Sequence, residues 1–322
     1  LTALRLAVLA ALLALVALDA GAQPARRVHR IGVLNEAWAA NHPTVEGLKA
    51  GLRALGLEEG RDVRFDIRFT EGKFEALPAA ATALVNAGVD LIVTSQYAAT
   101  RAAKDATARI PIVFTLLSEP AAAGIVANPA RPEGNVTGVT SLQAELVAKR
   151  LEILKILVPG VRRVWVIHDA GDPSATPMVV QALNAGPLLK LDLVPRGVLA
   201  PDDLALALRN VRQGDALLAP ETSALDIPTA ILQTSLTARI PAVFTTALWV
   251  GHGGLVSYGP DYYAHGFQAA RLVASILRGV RPSDVPVEGT DRIDLAVNLK
   301  TADLLGITVP RKILLRADAF RR

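Results

Sequence analysis

A chain of 322 residues, 51% of them hydrophobic and 20% charged, is long enough for two folded domains and too apolar to be disordered. Its net charge of +4, from 34 basic and 30 acidic side chains, is spread along the chain without a concentrated basic stripe, so no nucleic-acid partner is expected. The chain has no cysteine, which excludes disulfides, thiolate catalysis and cysteine-ligated metals.

At the start, Arg5 precedes an apolar run from Leu6 to Leu18, and Ala20-Gly21-Ala22 follows as a small-x-small cleavage pattern. The run is shorter than the ~20 residues a membrane span needs. Residues 1–22 are therefore expected to be a cleavable signal peptide, which implies a periplasmic protein. Without cysteine, no lipid anchor can follow it.

From Arg30 onward, short β-rich runs alternate with helical ones. Strands are expected at Ile31–Leu34, Val63–Phe69, Val89–Thr94, the "IPIVF" run ending at Phe114, and Asn135–Thr140, with helices between them and a longer helix over Gln143–Leu157. The order then recurs: "VWVI", "LDLV", "ALLA" and "PAVF" as strands, each followed or preceded by a helix. "LVSYG", a long helix from Tyr262 to Leu277, a strand at Asp294–Asn298 and a short helix at Lys300–Leu305 complete the chain. Continuous apolar strands between amphipathic helices indicate parallel sheets covered on both faces.

The chain also repeats itself. "ARIPIVFT" at Ala108–Thr115 returns as "ARIPAVFT" at Ala238–Thr245, and Gly124-Ile125-Val126 is matched by Gly254-Leu255-Val256 at the same offset. "HRIGVLN" at His29–Asn35 resembles "RRVWVIHD" at Arg162–Asp169. Two copies this long imply two similar lobes rather than a solenoid, whose repeats run roughly 20–50 residues. The fold expected is α/β, two doubly wound parallel-sheet lobes forming a clamshell.

In open parallel sheets ligands bind beyond the carboxyl ends of the strands, where helix N-termini present free N–H groups. Those turns carry Asn35, Glu36 and Trp38, then Ser95, Gln96 and Tyr97, then Thr115, Ser118 and Glu119 in the first half. In the second half they carry His168, Asp169 and Ser174, then Glu221, Thr222 and Ser223, then Thr245, Thr246 and Trp249. Hydroxyls and amides there can hold polar groups of a small molecule, or simply cap the next helix. Trp38, Tyr97 and Trp249 can stack on an apolar ligand or pack a loop onto a helix, and Glu119 and Glu221 can pair with an ammonium or be solvated acids. No nucleophile elbow, phosphate loop or dinucleotide fingerprint occurs. "HDAGD" (His168–Asp172) groups three possible metal ligands in one turn with no partner motif, and "NVT" at Asn135 is an unspecific sequon; no catalytic residue, metal or cofactor is expected.

"RPEGNVTGVT" (Arg131–Thr140), "KRLEILKILVPGVRRV" (Lys149–Val164), "GGLVSYGPD" (Gly253–Asp261), "ILRGVRPSDVPVE" (Ile276–Glu288) and "NLKTADLLGITVP" (Asn298–Pro310) resemble the substrate-binding proteins of one ABC-importer family. The resemblance implies a type I periplasmic-binding-protein fold with three hinge crossings. It places lobe one at residues 28–141 plus 247–284 and lobe two at 142–246 plus 285–322. Some members of that family bind tryptophan or tyrosine. The family's threonine-proline turn is Gln96-Tyr97 here, its Asp-Pro is Glu119-Pro120, and its Val-Glu-x-Gly-Gly element reads Val250-Gly251-His252-Gly253-Gly254. The implied function is a monomeric solute-binding protein that delivers an amino acid or an aromatic or apolar small solute to a membrane permease. A secreted α/β enzyme, or a binding module serving a membrane sensor, is the alternative; a DNA-binding regulator is disfavoured by the export signal.

Overall fold

The computed structural model describes residues 27–36, 41–222 and 224–321. The expected signal peptide, Trp38 and Ser223 lie outside them. Two sheets organise the chain. The first comprises β1 (His29–Asn35), β2 (Val63–Phe69), β3 (Leu91–Ser95), β4 (Ile112–Leu117), β5 (Val136–Thr140) and β11 (Glu288–Gly289), all parallel, in the order β11-β5-β4-β3-β1-β2. The second comprises β6 (Arg163–Asp169), β7 (Asp192–Val198), β8 (Asp215–Leu218), β9 (Ala242–Phe244), β10 (Val256–Pro260), β12 (Ile293–Asn298) and β13 (Ala319–Arg321), in the order β13-β12-β10-β9-β8-β6-β7. Its one antiparallel pair is β10 with β12. The first five strands of each sheet share one winding, so the α/β two-lobe architecture read from the repeat is borne out. The two copies of "ARIP-VFT" form β4 and β9, each the fourth strand of its lobe. The glycine echo is less equivalent: Ile125 and Val126 are a buried loop ahead of β5, whereas Val256 opens β10.

Helices cover both faces of each sheet because their apolar stripes need a partner. On one face of the first sheet lie α1 (Pro43–Ala54) and the long helix α9 (Tyr262–Leu277); on the other lie α2 (Leu77–Asn86) and α3 (Gln96–Ala106). The second sheet is covered by α4 (Gln143–Leu157) and α5 (Ala175–Leu189) on one face and by α6 (Pro201–Arg209) and α7 (Ile227–Ala238) on the other. Short helices α8 (Ala247–Gly251), α10 (Leu299–Leu304) and α11 (Arg311–Leu314) complete the second lobe. Pro43 and Pro201 open their helices at a position where the missing N–H is no loss, and Gly56, at φ +82°, follows the first of them.

Strand pairing divides the chain differently from the expected boundaries. Residues 247–260, assigned above to lobe one, build α8 and β10 of the second sheet, and β11, assigned to lobe two, pairs with β5 of the first. Within 247–284, α9 packs on the first lobe against α1, β4 and β5, and the turn Pro282–Asp284 packs on β5. The chain thus passes between the sheets at Thr140–Gln143, Pro260–Tyr262 and Gly289–Ile293. Asn135 of the sequon uses its side-chain amide to bind the carbonyls of Thr107 (3.1 Å) and Ile110 (2.7 Å), fixing the loop that enters β4.

Candidate functional site

The winding of each sheet reverses direction beside β1 and β6, so gaps open past the carboxyl ends of β1 and β3 and of β6 and β8, where ligands sit in folds of this kind. The two gaps face each other. Between them lies a cleft with three connected compartments, sharing Thr222 at their junction. The largest has a volume of about 1000 Å³ and reaches from Asn35, Ser95 and Gln96 of the first lobe to Glu221, Thr245 and Trp249 of the second. The second, about 650 Å³, lies between Phe74, Gln96 and Tyr97 on one side and Asp169, Leu199 and Asp226 on the other. The innermost holds only about 30 Å³, behind Glu221, bordered by Ser118, Gln143, Arg150, Asp172, Ser174 and Thr245.

The strand-end turns bring most of the expected residues to these walls: Asn35, Ser95, Gln96, Tyr97, Ser118, Asp169, Ser174, Glu221, Thr222, Thr245 and Trp249. Four do not line it. Thr115 is fully buried behind Ser95; its hydroxyl donates to the Thr94 carbonyl at 2.8 Å and meets Ser95 Oγ at 3.1 Å. With the Thr115 proton spent on that carbonyl, Ser95 must donate to Thr115, so Ser95 offers the cleft lone pairs only. Thr246 caps α8, accepting from the Leu248 N–H. Glu119 stands outside the lining; its carboxyl is pushed up to about 7 by burial and by Glu145 in the first turn of α4. His168 also stays outside, its ring bonded to the Val166 carbonyl. The "HDAGD" turn is a turn: Asp169 accepts from the Gly171 N–H and Asp172 from the Ser174 N–H, both at 2.8 Å, and the described residues contain no cluster of three metal-competent side chains.

Sequence reasoning missed the polar centre of the cleft. Gln143 and Arg150 lie two turns apart on one face of α4, 4% and 1% exposed. Arg150 donates through Nε to the Tyr258 carbonyl at 2.6 Å, tying α4 to β10 between two hinge crossings. Its second terminal nitrogen and the hydroxyls of Ser118 and Thr245 make no hydrogen bond within the protein, and Ser141 and Gln143 turn their polar ends only toward the Glu221 carboxyl. Burial lifts the Glu221 carboxyl to about 7, against the lowering influence of Ser141, Arg150 and Gln143 beside it. Arg150 is brought down to about 10 by burial, opposed by Glu221, and stays charged at neutral pH. Across the cleft the His42 ring caps α1 through Nδ1 and lies 5.4 Å from the Tyr262 ring; burial drives it down to about 4, so it is neutral. Burial, and then Glu221 and Glu36, hold the Tyr262 phenol protonated. Trp249 stacks on Phe244 at 6.0 Å and, with Leu232, Leu236 and Leu248, makes an apolar wall of the largest compartment. A buried set of unpaired donors and acceptors facing a cavity is poised for polar groups of a guest.

Residues 38–321 match the family model described as ABC transporter substrate binding protein. The chain belongs to that family. A curated relative, the tyrosine-binding protein of Clostridioides difficile (strain R20291), is 25% identical over 289 residues, spanning 86% of this chain and 82% of the relative. Among solved structures, a conserved domain protein from Vibrio cholerae O1 biovar eltor superposes with a TM-score of 0.84 at 28% identity, covering 92% of this chain and all of that one. An ABC domain in complex with L-Trp from Streptococcus pneumonia gives 0.83 at 23% identity, covering 91% of this chain and all of that one, a likeness of fold. The family resemblance read from the sequence is borne out: this is a substrate-binding protein of the ABC transporter family with the periplasmic-binding clamshell. The family is one of binding proteins, and among the described residues no helix is long and apolar enough to cross a membrane.

Proposed function

We propose that this chain is the exported solute-binding component of an ABC importer, which closes on an amino acid or another aromatic or apolar small solute and hands it unchanged to a membrane permease. One observation carries the reading: side chains of both lobes border one cavity with an unpaired polar centre and an apolar wall. Contacts to both lobes exist together only when the lobes approach, so a solute that makes them favours the closed form. Export from the cytoplasm to the periplasm is supported by the apolar run Leu6–Leu18 with its cleavage pattern and by the family. The polar centre would fix the solute's head, and Trp249 with its leucine neighbours would cover its body.

The test is thermal unfolding of the protein from Gln23 onward against a panel of amino acids, aromatic amines, aromatic acids and nucleosides. A solute at a hundred times its dissociation constant stabilises the native state by about 2.7 kcal/mol, raising the midpoint by several degrees. The expected result is a hit among the aromatic or apolar members, recovered chemically unchanged. A member consumed during the assay would instead make the protein an enzyme.

A further inference from the structure

Charge in the cleft is lopsided. Among the described residues, the walls carry the carboxylates of Glu36, Glu75, Asp169, Asp172, Glu221 and Asp226, while Arg150 is the only lysine or arginine. Arg150 is 1% exposed, lies behind Glu221 and has its Nε spent on Tyr258. Arg150 offsets one of these charges, and the acids, more numerous, set the sign of the field. A cleft with low-dielectric walls focuses such a field on whatever enters it.

A second, independent observation locates where a charged group would go. Thr245 (2% exposed) borders the innermost compartment with a hydroxyl that no protein group satisfies, and Gln143 (4% exposed), set against the Glu221 carboxyl, borders it too. That compartment holds about 30 Å³, on a scale where one water needs about 10–15 Å³. It therefore takes about two heavy atoms, an aminomethyl end, and not the five heavy atoms of an α-amino-acid head. The oxygens around it (Glu221 carboxylate, Gln143 Oε1, Thr245 Oγ1 and Ser118 Oγ) are acceptors for an ammonium, and Glu221, Asp169 and Asp172 on the same wall outnumber the one guanidinium of Arg150. A carboxylate left outside would meet Glu36, Asp226 and Glu75, and a Ser95 hydroxyl with no proton to give.

We propose that the solute is a net-positive primary amine on an aromatic or apolar body, with its ammonium in the inner compartment beside Glu221 and Gln143 and its body on Trp249, Leu248 and Leu236; this rests on the solute-binding reading above. The amine is selected over its own amino acid and over the matching carboxylic acid because only the amine brings positive charge without an anion to be repelled.

Titration calorimetry at pH 7.5 with three matched families tests this: tryptamine, tyramine and phenethylamine, their α-amino acids, and the arylpropionates of the same rings. In at least one family the amine should bind tenfold or more tightly than the amino acid, and the acid not at all. Raising the salt from 50 to 500 mM should weaken the amine several-fold. Asp226→Asn and Glu75→Gln, on the outer walls, should each weaken the amine two- to fivefold while narrowing its lead over the amino acid. An amino acid that binds as tightly as its amine overturns the charge selection and leaves the solute-binding reading standing. No binding in any family, with the wider thermal panel also silent, overturns both.

Discussion

Alanine at Gly266 is expected to destabilise the protein by about 3 kcal/mol or to prevent folding. Helices α1 and α9 pack backbone against backbone. A Cβ on Gly266 would lie 1.9 Å from the Thr44 carbonyl oxygen, one on Gly47 1.9 Å from the Tyr263 oxygen, and one on Gly51 2.6 Å from the Ala270 Cβ. The obstructing atoms are mostly main chain and cannot rotate aside, so the helices must separate. Both helices begin at the cleft, with His42 and Tyr262, so separation also displaces cleft walls. Gly160→Ala is the control, since its Cβ would meet nothing within 4 Å. Urea unfolding should show a large drop in midpoint for Gly266→Ala and a change within about 1 kcal/mol for Gly160→Ala. Equal midpoints would mean that the two helices do not touch as closely as described.

Replacing Arg150 by methionine should cost about 3 kcal/mol, since it leaves a buried carboxyl without the nearby positive charge and strips a buried carbonyl of its donor. The change removes the hydrogen bond to Tyr258 and leaves Glu221 buried without its counter-charge. The pH dependence has a definite sign. The Glu221 carboxyl is already raised to about 7, and losing Arg150 raises it further. A carboxyl raised in the folded state is protonated, and harmless, at low pH; its cost accumulates as pH rises from the unfolded value through the folded one. The loss should therefore be smaller at pH 5.5 than at pH 8.5. Adding Glu221→Gln should restore much of the stability at the higher pH, because the orphaned charge is gone. A loss independent of pH, with no recovery in the double variant, would show that Arg150 acts through packing alone.

The fold was legible because its signals are local. Alternating apolar runs, the doubled "ARIP-VFT" and the helix from Tyr262 to Leu277 each mark an element within a short window. Lobe membership was not, since it depends on pairing over distance. Val256–Pro260 followed by α9 looks like one more strand-helix unit, yet the strand pairs antiparallel with Ile293–Asn298 and the helix crosses to the other lobe. At the site, the rule of strand ends found Ser95, Glu221 and Thr245, and over-reached at Thr115 and Thr246, whose hydroxyls serve their own backbone neighbours. Gln143 and Arg150 were missed because they lie on a helix rather than at a strand end. A signal was present: Arg150 shares the buried face of α4 with Val147, Leu151 and Leu154, where a charge needs a reason.

Closure of the two lobes on a solute is tested most directly by the distance between them. The chain lacks cysteine, so labels go only where cysteine is introduced. Lys73→Cys and Asp202→Cys are suitable, being near Phe74 and Leu199, which border one compartment from opposite lobes. Pulsed spin-label measurements would be made without solute and with the panel member that raises the unfolding midpoint most. A shorter and narrower distance distribution at saturation is predicted. An unchanged distribution, with the solute bound, would contradict closure between the lobes.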